Sequence, residues 1–108
     1  MTLLTQDQDL QQQICSQKYV IVQFGTELCG PCAAIRSKLE DWTTRNPAIH
    51  FLYVPLEEFS RLAAQEGIFT APAVLIYVQG QLFLRESGCF SLEDMLSRLS
   101  RYCSILEE

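Results

Sequence analysis

The chain is short of basic residues. Eight Lys and Arg face thirteen Asp and Glu, for a formal net charge of −5 and a pI near 4.8. Nucleic-acid binding leans on Lys and Arg at phosphates, and docking to an anionic bilayer leans on clustered cations, so neither kind of partner is expected. Long apolar runs are also missing, and nothing approaches the ~20 residues that a membrane helix needs. Residues 1–10 have neither a basic start nor an apolar h-region, so no secretory signal is expected and the cytoplasm is the expected compartment. Internal repeats, low-complexity tracts and linkers are absent, so the 108 residues are read as a single domain over 1–108.

What the chain does have is a core and cysteines. Apolar residues make up 48% of it, which is a globular composition. A chain of this length can bury a core without metal or disulfide staples. Five cysteines cannot all pair within one molecule. In a reducing compartment a close Cys pair is more often catalytic or metal-binding than structural.

The order of elements is legible. Thr5 or Asp7 is placed to cap a helix running to about Ser16, with Leu10 and Ile14 four apart on its inner face. Tyr19 to Phe24 is almost continuously apolar, as a strand covered on both faces would be. Gly25 to Leu28 reads as a loop. Gly30 to Arg45 reads as a helix with Ile35, Leu39 and Trp42 at helical spacing, ended by Asn46-Pro47. A second strand is expected over Ile49–Val54 and a helix over Leu56–Glu66, capped by Gly67 with Phe59, Leu62 and Ala63 inward. A third strand, Ala73–Val78, turns at Gln79-Gly80 into Gln81–Glu86. Ser91 caps a last helix with Leu92, Met95, Leu96, Leu99 and Cys103 on one face. Strands alternating with helices imply parallel crossovers, and the final hairpin adds antiparallel strands. The expected fold class is therefore α/β, a mixed sheet between helices. Cys15 and Cys103 fall on apolar helix faces and are expected in the core. His50 is expected at a surface or edge.

Cys29-Gly30-Pro31-Cys32 carries the chemistry. Cys29 ends a strand-to-helix loop, beside unpaired backbone N–H groups and the positive end of a helix dipole. Both favour the thiolate, the species that attacks disulfides. Cys32, in the first turn, is close enough to close a disulfide ring. Pro31 sacrifices no hydrogen bond there and pre-sets φ, and Gly30 removes bulk where a partner must approach. Cys29 is thus the expected nucleophile and Cys32 the buried resolving thiol. Half of a zinc site is the competing reading. Structural zinc takes four ligands, and Cys15, Cys89, Cys103 and His50 form no second close pair. No metal and no cofactor are expected.

The stretch Val20 to Ile35, VIVQFGTELCGPCAAI, resembles the strand–loop–helix active site of thioredoxins. The thiol chemistry of this motif is thus inherited from the family. Ala71-Pro72 stands where thioredoxins carry a residue followed by a cis-proline, Gln79-Gly80 resembles their hairpin turn, and Gly88 matches the glycine closing their partner groove. The resemblance covers about residues 17–104. It implies a thioredoxin fold with a four- to five-stranded mixed sheet, its N-terminal strand absent or reduced to Leu3-Leu4. It implies a thiol–disulfide oxidoreductase that reduces protein disulfides and is recharged by a reductase or a low-molecular-weight thiol. It also implies active-site support from Gly30, Pro31, Pro72 and Gln23, and a partner groove formed by Leu28, Thr70, Ala71, Gly88 and Cys89.

The departures from the family are specific. Gln23 stands where thioredoxins usually bury an Asp for proton transfer, and Gln cannot take a proton, so a slower resolving step is expected. Leu28 replaces the usual Trp and Ala71 the usual bulky aliphatic, implying partner preferences unlike a general thioredoxin's. Ser37 replaces a kink proline, implying a straighter helix. Cys89 reads either as a third redox thiol or as an ordinary free cysteine. The alternative function is a peptide-binding or redox-sensing module on the same fold with weakened catalysis.

Overall fold

The computed structural model describes all of residues 1–108. Its elements are β1 (Thr2–Leu3), α1 (Leu10–Cys15), β2 (Tyr19–Gly25), α2 (Gly30–Arg45), β3 (Ile49–Pro55), α3 (Ser60–Gln65), β4 (Ala73–Val78), β5 (Gln81–Ser87) and α4 (Leu92–Leu106). The five strands form one sheet in the order β1-β3-β2-β4-β5. β1, β3 and β2 run parallel, while β4 and β5 pair antiparallel.

The central strand β2 is buried along its whole length, which explains its unbroken apolar run. Alternation splits its side chains between two cores. Val20, Val22 and Phe24 join Leu10, Ile14, Phe59, Ala63 and Ile68 on the α1/α3 face. Tyr19 and Ile21 join Leu39, Met95, Leu96 and Leu99 on the α2/α4 face. Each fully buried aliphatic or Phe side chain contributes about 1.5–3 kcal/mol. Gln23 follows the second alternation, so it points beneath α2.

Local signals set most boundaries. Ser91 Oγ accepts the Asp94 N–H at 3.1 Å, starting α4. Gly67, at φ +73°, ends α3: its N–H bonds Ala64 C=O and the Ile68 N–H bonds Ala63 C=O at 2.8 Å. That double bond pattern needs the left-handed residue glycine supplies. The Arg85 guanidinium, on β5, donates to the carbonyls of Glu66 and Gly67 at 2.9 and 2.7 Å, tying the helix end to the edge strand. Gln79 and Gly80 both have positive φ, the geometry of a two-residue hairpin turn.

Several expectations are corrected. The N-terminal strand exists, over Thr2–Leu3 instead of Leu3-Leu4, and the buried Leu4 extends it with an N–H bond to Tyr53 C=O. α1 starts at Leu10, capped by Asp9, whose carboxylate accepts the Gln11 N–H; Thr5 and Asp7 bond each other instead. α3 starts at Ser60, not Leu56, because residues 56–58 form a turn and Phe59 is drawn into the core. Cys15, the last residue of α1, is exposed, while Cys103 is half-buried and packs against the α2/α4 core.

Candidate active site

The β2–α2 junction builds the site. Cys29 is the N-cap of α2, with extended backbone angles, and its Sγ accepts the Cys32 N–H at 3.2 Å. Gly30 and Pro31 open the helix, where no intrahelical N–H bond is required. Cys29 and Cys32 are joined as a disulfide with Cα atoms 5.3 Å apart. Cys29 is half-buried and Cys32 is only 1% exposed. One sulfur therefore faces the surface and the other lies beneath it.

The preceding loop is pinned from β3–α3. The Glu57 carboxylate accepts from the Thr26 hydroxyl and from the Glu27 N–H, and the Cys29 N–H bonds Thr26 C=O at 3.2 Å. The Thr26 hydroxyl and then the Glu27 amide hold the Glu57 carboxyl below its ordinary value.

Gln23 is fully buried beneath Cys32. Its Nε2 donates to Cys32 C=O at 2.9 Å, while its Oε1 has no partner. Flipping the amide would bring two acceptors together, so the orientation is fixed. A buried acceptor left unpaired costs roughly 1–3 kcal/mol.

The Ala71–Pro72 peptide bond is cis, and Pro72 is buried. Pro72 C=O accepts the Gly88 N–H at 2.9 Å, and a Cβ on Gly88 would lie 3.7 Å from the Thr70 methyl. The structure thus brings Thr70, Ala71, Pro72 and Gly88 together. Thr70 and Cys89 are exposed, Ala71 and Gly88 are half-buried, and Leu28 projects into solvent at 95% exposure. His50 is half-buried on β3, and burial lowers the pKa of its imidazole.

Three residues escaped sequence reasoning. Phe69, beside the Thr70–Pro72 loop, is 81% exposed. Its signal was its place between the inward Ile68 and the proline. Tyr53 pairs in register with Gln23, so strand alternation puts it on the same face beneath α2. Arg36 lies one helical stripe from Cys29 through Ala33, and its guanidinium carbon sits 5.2 Å from the Tyr53 ring centroid. Burial raises the Tyr53 phenol, and the Arg36 charge partly offsets this.

A mixed parallel and antiparallel sheet with a Cys-Gly-Pro-Cys helix start and a cis-proline before β4 defines the thioredoxin fold. X-ray coordinates of Fasciola hepatica thioredoxin match it with a TM-score of 0.81 at 24% identity, over 94% of this chain and 98% of that one. The thioredoxin family model matches residues 1–101. The chain belongs to the thioredoxin family, and its Cys29 and Cys32 are joined as a disulfide at the helix start. Thioredoxin-2 of Pyricularia oryzae is 33% identical over 78 residues, covering 72% of this chain and 46% of that protein. Thioredoxin-1 of Schizosaccharomyces pombe is 32% identical over 68 residues, covering 63% of this chain and 66% of that one. The chain thus spans about half the length of the first relative and just under two thirds of the second.

Proposed function

We propose that this chain reduces disulfides of proteins by reversible cycling of Cys29–Cys32 between dithiol and disulfide. The accessible Cys29 sulfur, at a helix N-terminus and disulfide-linked to a buried Cys32, carries the reading. In the reduced protein the Cys32 N–H and the helix dipole favour a Cys29 thiolate. That thiolate attacks a partner disulfide and forms a mixed disulfide. Cys32 then attacks Cys29 Sγ and releases the partner as a thiol. Gly30 and Pro31 shape the helix start, and Gln23 holds the Cys32 carbonyl.

The partner groove runs between Leu28, the Thr70–Ala71–Pro72 loop and Gly88–Cys89. Its support is the exposure of Leu28, Thr70 and Cys89 and the packing of Gly88 against Thr70. A reductase or a low-molecular-weight thiol returns the pair to the dithiol. A reducing, cytoplasmic setting suits a chain whose Cys15, Cys89 and Cys103 are all free thiols. No helix is long and apolar enough to cross a membrane.

Reduction of insulin disulfides with a generic dithiol as donor tests this reading. Cys29→Ser should abolish turnover, and Cys32→Ser should accumulate a mixed disulfide on Cys29. Partner capture that survives loss of both cysteines, without turnover in the wild type, would favour a binding module instead.

A further inference from the structure

Beside Cys29 lies a cleft of about 170 Å³, lined by Thr26, Glu27, Cys29, Ala33, Arg36 and Tyr53. At roughly 30 Å³ per liquid water that is the room of five or six waters, enough for an amino-acid-sized group. Its aromatic residue is Tyr53, its one cation is Arg36 and its redox residue is Cys29.

Arg36 has no ion-pair partner. The protein's ion pairs are Lys18–Glu107, Lys38–Glu93 and Arg45–Asp41, and Arg36 is in none of them. Its guanidinium lies over the Tyr53 ring, within hydrogen-bonding reach of that residue's phenol, and the side chain is half-buried. A planar fork of donors over an aromatic face, with no carboxylate in an ion pair with it, is an arrangement that takes a carboxylate in two parallel hydrogen bonds. Glu27 on the same cleft supplies the opposite charge. On a chain of net charge −5, a bare anion is repelled at long range, whereas a zwitterion is not.

We propose that this cleft seats the amino-acid head of a small disulfide or thiol of the cystine type, its carboxylate on Arg36 and its ammonium on Glu27, with its sulfur at Cys29. This rests on the exchange chemistry proposed above and names a substrate and donor class for that same site. In the forward direction the Cys29 thiolate attacks one sulfur of the small disulfide. A Cys29 mixed disulfide forms and one small thiolate leaves, to be protonated by solvent. Cys32, giving up its proton, attacks Cys29 Sγ and expels the second small thiolate. The dithiol loses two electrons and the small disulfide gains them. Run in reverse, two molecules of the small thiol recharge the pair.

The test is the second-order rate at which the reduced protein reacts with cystine and with hydroxyethyl disulfide, which lacks both charged groups. Arg36→Met removes the fork from a half-exposed helix position and retains the stem's packing. It also removes a positive charge near Cys29, which affects both reagents alike, so the ratio of the two rates is the readout. Hydrogen bonds to charged groups contribute about 1.5–3 kcal/mol, and every 1.4 kcal/mol is tenfold, so the cystine-to-hydroxyethyl ratio should fall about tenfold or more. Glu27→Gln should lower the same ratio. Cystamine, with the ammonium groups but no carboxylates, should show no loss of its ratio to hydroxyethyl disulfide on Arg36→Met. An unchanged cystine ratio, or an equal fall with cystamine, would overturn the seat while leaving disulfide exchange intact. Failure of the wild type to react with any of the three would instead overturn the exchange reading, and the seat with it.

Discussion

Replacing Gln23 by Asp puts a titratable group where the protein buries a neutral one. Position 23 is fully buried, between β3 and β4 in the sheet and beneath α2. Full burial raises a carboxyl by up to about 3–5 units. With a rise of about 3 units from an ordinary ~3.9, the folded value is near 7, and each unit corresponds to about 1.36 kcal/mol. The folded state then holds a proton that the unfolded chain has already released. Stability relative to wild type is therefore full below about pH 4, falls as the pH rises toward 7, and levels off above it. The total loss is about 4 kcal/mol, a large share of the roughly 5–15 kcal/mol that holds a domain together. Urea unfolding of the oxidised variant and wild type at several pH values reads this difference directly. A difference that stays flat from pH 4 to 8 would show that water reaches position 23, and would refute the buried-amide picture. The same variant tests the resolving step. A carboxylate under Cys32 can take its proton, and positioned bases contribute about 10²–10⁴-fold. Resolution of a Cys29 mixed disulfide, followed by stopped flow, should quicken above the carboxyl's pKa. Equal rates would remove the idea that Gln23 slows the chain's own chemistry.

Other predictions follow from packing and caps. Gly67→Ala forces a side chain into φ +73°, with its Cβ 3.3 Å from the Arg85 guanidinium, and should cost about 1–2 kcal/mol by chemical denaturation. Leu39→Ala, in the α2/α4 core, should cost about 2–5 kcal/mol by the same measurement, and a loss under 1 would mean the site collapses around the gap. The Glu27 amide proton should shift with acid at a midpoint below 4.5, because the folded Glu57 carboxyl is depressed. The tie is present above that range and lost as the pH falls through it. A midpoint at or above 4.5 by NMR, or the same titration in Glu57→Gln, would contradict the loop tie.

Much of this was legible in the sequence because the signals are local. The Cys29–Cys32 spacing, Gly67 at a helix end, Gln79-Gly80 between strands and the full burial of β2 each follow from neighbours in the chain. The start of α3 was not legible, because Leu56 to Phe59 are helix-compatible by pattern and only the Leu56 N–H bond to Gly25 C=O and the burial of Phe59 hold them outside the helix. Cys15 was misjudged because its helix is too short for its last residue to reach the core. The Tyr53–Arg36 cleft depends on a β3 residue meeting an α2 residue across the sheet face. Register and helix phase had to be known together before either residue had a meaning. Phe69 looks like core by composition and is exposed only because Ile68 takes the inward place.

The grip of Arg85 on the end of α3 has a consequence for motion. β5 is an edge strand, bonded on one side to β4 and open to water on the other. Elements with few buried residues and solvent-exposed backbone hydrogen bonds open at low free energy, and no residue of β5 is buried. Here that opening releases Glu66 and Gly67 from Arg85, and Pro72 from Gly88, at the same time. The loop that carries the cis-proline therefore belongs to the same cooperative unit as an edge strand of the sheet. Its rigidity is borrowed from an edge, so breathing of that edge sets how long the groove keeps its shape.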